Sequence, residues 1–284
     1  AYEMYAVIPA DVLKVAHHGS AGSTSEAFLQ AVELTKLFVI RDCKTLYTQT
    51  ILGPLWFVLS ALFTSSVFTV VFGGIAKIST EGVPKFIFYM AGSILWTYFS
   101  SCLAKIAETF RNGARLFGKV YFPRLVSPIS VLFSKMVIFG VQFIIFVALV
   151  FWFSFHGEVH ANWACLLLPV VLLQSALLAL GCGLILTSIT AKYRDLSVMV
   201  GFLLQAWMYI TPGVYPASAV AGQLRWVYML NPVTPFMEAF RYGFLGVGTL
   251  SWSAMAVAAA ETAVLLVLGL LLFKKTERTF IDIV

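Results

Sequence analysis

The sequence predicts an all-α membrane protein, from its composition, the length of its apolar runs and the placement of its basic residues. Of its 284 residues, 60% are hydrophobic and only 11% are charged, and the mean hydropathy is +0.91. Soluble domains carry about 25% charged residues, and disordered chains combine low hydrophobicity with high charge. Both classes are therefore excluded, and the long apolar runs are typical of helices that cross a bilayer.

Six membrane-spanning helices are predicted, over about residues 55–74, 86–103, 126–155, 164–189, 196–210 and 254–273. About 20 helical residues, each rising 1.5 Å, cross a hydrocarbon core of roughly 30 Å. The fifth run is short. Residues 212–248, between the fifth and sixth runs, are aromatic and semi-polar and contain four prolines. This composition indicates a re-entrant helical pair, two short helices that enter the membrane and return.

The chain before the first span divides into two segments. Residues 1–25 have a mixed composition and are predicted to be a flexible N-terminal segment. Residues 26–50 alternate apolar and charged side chains and are too polar to span, so they predict an amphipathic helix in the membrane interface. Leu52-Gly53-Pro54 breaks this helix from the first span and is the predicted hinge. Residues 51–284 form the predicted transmembrane domain.

The basic residues predict the orientation in the membrane. With both termini cytoplasmic, 14 of the 19 Lys and Arg residues lie on the cytoplasmic side. Four lie outside, namely Lys77, Lys85, Arg225 and Arg241, and Lys135 lies inside a span. Basic residues concentrate in cytoplasmic loops, so this bias also explains the net charge of +6 without a nucleic-acid partner.

No catalytic signature is complete in this sequence. Residues 113–120 nearly match a phosphate-binding loop, but Val120 stands where a Ser or Thr must ligate magnesium. We therefore expect this chain to bind no ATP and to need a separate ATPase. The four cysteines are widely spaced and form no zinc or disulfide pattern, so no metal or other cofactor is expected in the chain.

Two ionisable residues lie within the predicted spans, Lys135 in the third and Glu261 in the sixth. Intramembrane charges are costly, and they often mark transport paths. The two residues are candidates for an ion pair, a proton relay or a water-filled path. The alternative is that Lys135 extends its amine to the interface and Glu261 lies against protein near a helix end.

Small residues recur every fourth position in the fourth span, at Ser175, Ala179, Gly183 and Thr187. Such a face lets two helices approach closely. It predicts either a dimer seam or ordinary packing within the chain.

Aromatic side chains are concentrated in the second span and in the re-entrant stretch. Aromatic faces stack on sugars through CH groups and tolerate sliding, so these rings are candidates for a glycan path. An interfacial aromatic belt is the alternative. The candidates are Trp96, Tyr98, Phe99, Tyr215, Trp226 and Tyr228.

Several motifs, taken in order, resemble those of ABC type-2 exporter permeases, and specifically the branch that exports polysaccharides such as O-antigen and teichoic acid. The resemblance covers about residues 26–284. The matching segments are Arg41-Asp42, residues 49–56, residues 117–124, Tyr193-Arg194-Asp195, residues 212–216, Leu230-Asn231-Pro232, residues 238–241 and residues 277–282.

The resemblance implies a six-span permease of the bacterial cytoplasmic membrane that works as a homodimer with two copies of a separate ATPase, which binds ATP and Mg²⁺. It implies a lipid-linked glycan on an undecaprenyl diphosphate carrier as cargo, moving between the two protomers. Two other functions remain open. A permease of the same superfamily exports a drug or a lipid, and a secondary transporter needs no ATPase but usually has inverted repeats.

The short cytoplasmic segment from Lys105 to Arg124 is the predicted coupling helix. Glu108, Arg111 and Arg115 share one helical face, and Lys119 adds a nearby charge. We expect this face to dock on the ATPase, with the interfacial helix as a second contact. The alternative is that the basic residues hold anionic lipid headgroups.

Overall fold

The structure is a computed structural model that describes residues 24–47, 52–110, 123–192, 195–220, 228 and 230–281. All regular elements within these ranges are helical. In chain order the α-helices are α1 (Thr24–Tyr47), α2 (Leu55–Phe68), α3 (Lys85–Ala107), α4 (Val126–Phe155), α5 (Leu168–Lys192), α6 (Leu196–Ile210), α7 (Thr234–Leu245) and α8 (Trp252–Ile281). The predicted N-terminal segment falls largely outside the described residues.

Five helical stretches are long and apolar enough to cross a membrane: Leu55–Ile75, Lys85–Ala107, Val126–Phe155, Trp163–Lys192 and Trp252–Glu277. The first is α2 with a π-helical continuation, and the fourth is α5 preceded by a short 3₁₀ turn. Five of the six predicted spans thus coincide with candidate membrane-spanning helices. The remaining one forms α6 with the predicted bounds, but its 15 residues rise only about 22 Å. A sixth span stays a prediction.

Helix α3 is the centre of the bundle and is buried on nearly all sides. Its fully buried side chains include Phe88, Tyr89 and Phe99, and it packs against α2, α4, α5, α6 and α7. Pro84 precedes its first turn, where a missing N–H costs nothing. A central helix that is apolar all round buries more surface than one with a single apolar stripe, so α3 positions the others.

The small residues of α5 pack within the chain. Gly183 lies against the side chain of Ile106 in α3, and Ala179 and Thr187 are fully buried. Gly181 makes a second close approach, to the backbone of α8 at Leu266, and Gly269 of α8 faces α5 in return. Small residues permit such short interhelical distances. The predicted small-residue face therefore serves ordinary packing, and the dimer seam is not needed to explain it.

Helix α1 packs on the start of α4. Phe38 is 4% exposed and contacts Val126. The opposite face leaves Leu29, Val32 and Ile40 exposed. A helix with one face on the bundle and apolar side chains on the other fits the predicted interface helix, although its place in a membrane interface stays a prediction.

The bundle has two distinct ends. Loops 76–84, 156–162 and 246–251 meet around one cavity, and we call this the loop end. At the opposite end, Arg124 forms an ion pair of 3.7 Å with Glu277, and Thr190 Oγ1 donates to the carbonyl of Ala107 at 3.0 Å. These contacts join the start of α4 to α8 and the end of α3 to α5.

Candidate functional site

The segment that follows α6 returns toward the bundle through Asn231. Trp207 Nε1 donates to Asn231 Oδ1 at 3.1 Å, and Asn231 Nδ2 donates to Thr211 Oγ1 at 2.9 Å. Asn231 Oδ1 also accepts from the backbone N–H of Val233, a local turn that precedes α7. One side chain therefore fixes the end of α6 against the start of α7.

Arg241 of α7 is fully buried and holds residues 211–219, which we call the 211–219 segment. Its guanidinium donates to the carbonyl oxygens of Gly213, at 2.8 Å, and Tyr215, at 3.2 Å. It also lies 4.0 Å over the ring of Phe88, a favourable cation–π geometry. The charge count places Arg241 in an outer loop, but the structure places it in the interior, where carbonyl dipoles and a ring replace water.

Glu238 lies one turn before Arg241 and pairs with it at 3.7 Å. Its carboxylate accepts the backbone N–H groups of Thr249, at 3.3 Å, and of Ala217. Burial raises the pKa of Glu238, and the positive charge of Arg241 opposes that shift. The ion pair thus joins α7 to the 211–219 segment and to the loop before α8.

Some buried polar atoms around this ion pair lack a hydrogen-bond partner among the described residues. Four buried atoms have no hydrogen-bond partner among the described residues: Tyr89 Oη, Tyr228 Oη, Glu238 Oε1 and Arg241 Nε. A buried polar network in which every member is satisfied is rigid, whereas a partly satisfied one is costly.

Glu81 extends this cluster to the loop between α2 and α3. Its Oε1 accepts a hydrogen bond from Ser218 Oγ of the 211–219 segment, and its charge also acts on Glu238 and Arg241. We call Glu81, Ser218, Glu238 and Arg241 the loop-end cluster. Three separate parts of the chain meet there: the loop between α2 and α3, the 211–219 segment and α7.

The aromatic candidates of α3 lie inside the protomer. Trp96 is 7% exposed, Tyr98 3% and Phe99 1%. Trp207 meets the rings of Trp96 and Phe99 edge-on, with centroids 6.4 and 5.2 Å away, and Tyr98 packs on Phe139 at 5.6 Å. Their role as a glycan path stays a prediction.

Of these three, Trp96 borders open space. It lines a cleft of about 40 Å³ beside Thr97, Phe68 and Met208. Thr97 on the same turn of α3 is exposed. The cleft lies between α2, α3 and the end of α6, and Trp96 is the α3 candidate that lines it.

The aromatic candidates of the re-entrant stretch are placed in part. The rings of Tyr215 and Tyr228 lie 5.9 Å apart and are tilted by 33°, and Tyr215 Oη donates to the carbonyl of Tyr209 at 2.9 Å. Tyr228 is buried. Trp226 lies outside the described residues.

The predicted hinge is a turn. Gly53 has a positive φ of 50°, and the N–H of Leu55 donates to the carbonyl of Leu52 at 3.0 Å. Glycine adopts this left-handed conformation without strain. Leu52 and Pro54 are exposed. The chain does break before α2, while hinge motion stays a prediction.

The coupling residues are described in part. Glu108 ends α3 as its C-cap, whereas Arg111, Arg115 and Lys119 lie outside the described residues. Cys102 and Lys105 of α3 and Asp42 of α1 are the groups that interact electrostatically with Lys135. Glu261 has a buried Oε2 without a hydrogen-bond partner in the described chain. The proposed ion pair between Lys135 and Glu261 stays a prediction.

Sequence reasoning missed the residues that bind the 211–219 segment. Arg241 and Glu238 belong to a motif that carries the resemblance, yet they were assigned no role. Their spacing of three on a short helix was the available signal, since it suits a helical ion pair. Trp207 gave no local signal, because its partners Trp96 and Asn231 lie more than twenty residues away along the chain.

Comparisons with known proteins identify the family. The family model described as ABC-2 type transporter matches residues 33–245. An O-antigen export system permease protein RfbA of Klebsiella pneumoniae is 24% identical over 254 residues, which cover 88% of this chain and 95% of the relative. One of Myxococcus xanthus is 27% identical over 247 residues, covering 86% and 92%. The polysialic acid transport protein KpsM of Escherichia coli is 25% identical over 264 residues, covering 89% and 96%.

The family match extends from within α1 to the last residue of α7. It includes all four residues of the loop-end cluster and four of the five candidate spans. With more than half of the sequence matched, the chain belongs to the ABC-2 type transporter family.

Proposed function

We propose that this chain is the permease subunit of an ABC transporter that exports a lipid-linked polysaccharide, such as an O-antigen, across the bacterial cytoplasmic membrane. The observation that carries the proposal is the set of relatives. Two polysaccharide functions appear in their names, O-antigen export and polysialic acid transport, and each relative is covered over at least 92% of its length.

The chain acts as a homodimer with two copies of an ATPase that binds ATP and Mg²⁺. This assembly follows from the resemblance of the motifs and suits a chain without a complete phosphate-binding loop. The glycan travels on an undecaprenyl diphosphate carrier and passes between the two protomers. Because the chain performs transport rather than hydrolysis, the energy enters through the cytoplasmic contacts with the ATPase.

Both termini lie in the cytoplasm in this proposal, and the loop end faces away from it. The basic residues support this orientation. Five basic residues lie at or next to the opposite end of the bundle, namely Lys105, Arg124, Lys192, Lys274 and Lys275. The three loops that form the loop end, residues 76–84, 156–162 and 246–251, contain one Lys or Arg residue, Lys77. Cytoplasmic segments carry the excess of Lys and Arg.

The re-entrant pair of this proposal lies within residues 212–248, between α6 and α8, and α7 is its second helix. The 211–219 segment reaches the loop end at Ser218, and the chain is back at the level of Trp207 by Asn231. Helix α7 then leads out again to Gly246, which ends it with a left-handed φ of 75°. Such a segment is well placed to open and close an exit.

Deletion of the gene tests the proposed function directly. The expected result is loss of the surface polysaccharide, accumulation of lipid-linked glycan on the cytoplasmic side, and recovery on complementation. Normal surface polysaccharide in the deletion strain would exclude the proposal. An unchanged polysaccharide together with altered drug resistance or lipid composition would favour the other exporter classes.

A further inference from the structure

A cavity of about 740 Å³ opens at the loop end. Its walls come from three loops, at residues Thr80–Lys85, Gly157–His160 and Leu245–Val247, although Val159 is buried behind them. Ligand sites commonly have volumes of about 300–1,000 Å³, so several sugar rings fit. The cavity reaches the start of α3 at Lys85 and shares no lining residue with the cleft at Trp96.

Glu81 belongs both to this cavity and to the loop-end cluster. Its side chain lines the cavity, and its Oε1 accepts the Ser218 hydroxyl. The loop that carries it is held by Thr80 Oγ1, which donates to the carbonyl of Val83 at 2.7 Å, and by Ser79 Oγ, which accepts the N–H of Glu81 at 3.3 Å. The Glu81 carboxylate therefore lies in a loop that hydrogen bonds hold in place, and it accepts one hydrogen bond from a hydroxyl of the protein, that of Ser218.

The charges of the cavity favour a neutral or amine-bearing polyol. Glu81 and Glu158 supply carboxylate acceptors, and His160 offers a ring nitrogen. The ammonium of Lys85 already donates to the carbonyl of Gly73 at 2.7 Å. Hydrogen bonds from alcohols to carboxylates are short and strong. A serine hydroxyl and a sugar hydroxyl are the same kind of donor, so they compete for one oxygen of Glu81.

We propose that this cavity binds sugar residues of the exported glycan, and that a sugar hydroxyl replaces the Ser218 hydroxyl on Glu81. The inference rests on the proposed function and adds a binding site at the loop end. Sugar binding then releases Ser218 from the α2–α3 loop. Arg241 still holds the same segment at the carbonyl oxygens of Gly213 and Tyr215, so sugar in the cavity removes one of several attachments of the segment.

The test measures sugar binding to the complete transporter in lipid nanodiscs. The probe is the surface polysaccharide of the producing strain, released by mild acid and titrated by calorimetry. Glu81→Gln removes the charge of the acceptor and is expected to weaken binding by about tenfold. Ser218→Ala removes the internal competitor and is expected to strengthen binding several-fold, whereas Ser218→Thr keeps a hydroxyl and stays near wild type.

The test depends on the two variants changing the affinity for sugar in opposite directions. If the Glu81–Ser218 hydrogen bond only stabilises the fold, both Glu81→Gln and Ser218→Ala change binding in the same direction or leave it unchanged, and either result overturns the inference. Ser218 is exposed, so the alanine variant is expected to fold and decides the matter even if Glu81→Gln does not. Glu33→Gln and Ser66→Ala, both exposed and far from the cavity, are the matched controls.

The two proposals fail separately. Surface polysaccharide that persists without this chain excludes the proposed function. Polysaccharide that depends on this chain, combined with unaltered sugar binding in both variants, excludes the cavity site alone.

Discussion

Gly92 of α3 lies directly against the carbonyl oxygen of Gly213. A methyl group built on Gly92 overlaps that oxygen and lies 2.8 Å from Arg241 Nη2. The absence of a side chain at residue 92 is therefore what allows the 211–219 segment and the guanidinium to reach α3. A glycine in a helix usually costs about 1 kcal/mol relative to alanine, and here the close approach compensates for that cost.

Gly92→Ala is expected to lower the free energy of unfolding by about 1–3 kcal/mol, the usual cost of overpacking. It should also displace the 211–219 segment. Gly140→Ala in α4 is the matched control, because a methyl group there meets no atom within 4 Å. Thermal unfolding in detergent measures both variants. Equal stabilities would contradict the close packing at Gly92.

The buried ion pair makes a second prediction. Arg241→Met leaves Glu238 as a buried, unpaired carboxylate and is expected to cost about 3–5 kcal/mol of stability. The double variant Glu238→Met/Arg241→Met removes both charges and should be more stable than Arg241→Met alone. Chemical denaturation of the detergent-purified protein compares the three proteins. A double variant less stable than the single one would mean that the pair is not the dominant interaction.

A third prediction separates a transport role of Trp96 from a packing role. Trp96→Phe keeps a ring against Phe99 and Trp207 but removes the larger indole face at the cleft, so export should slow while the melting temperature changes little. Tyr98→Phe removes only a hydroxyl from a buried ring and is the control. Surface polysaccharide after induction is the measurement, and equal export by both variants would leave the rings with a packing role alone. Alanine is unsuitable here, since truncating a buried aromatic costs about 3–5 kcal/mol.

The purified chain, without a partner, is expected to hydrolyse no ATP. Val120 cannot ligate magnesium as a Ser or Thr would, so Lys119→Ala should leave the baseline unchanged. A phosphate-release assay with added Mg²⁺ tests this. Robust ATP hydrolysis by the purified chain that disappears in Lys119→Ala would contradict this expectation.

Charge reversal tests the coupling segment. Arg111→Glu/Arg115→Glu is expected to release the ATPase from the membrane and to stop export, because the docking face loses both of its cations. Lys77→Glu at the loop end is the control and should leave the complex assembled. Co-purification of the ATPase with the tagged permease is the measurement. Normal stoichiometry with intact transport would instead favour contact with lipid headgroups.

The sequence by itself determined the helical class and most helix bounds. Helices α4 and α6 run over the predicted residues 126–155 and 196–210, because hydrophobic length and flanking polar or proline residues are local properties of the chain. The break at Leu52-Gly53-Pro54 was likewise readable, since glycine and proline act on their own backbone. The family motifs could also be recognised from the sequence, because each lies within a few consecutive residues.

Only the tertiary structure decided which polar and aromatic residues are buried, and against what. Arg241 counts as an outer-loop charge by sequence, yet it stacks on Phe88, 153 positions earlier, and binds carbonyls of the 211–219 segment. Trp96 and Phe99 fit an exposed aromatic belt equally well by sequence, but in the structure Trp207 packs edge-on against both rings. Burial of a charge or a ring depends on partners brought together from distant segments, and hydropathy along a single segment carries no information about them.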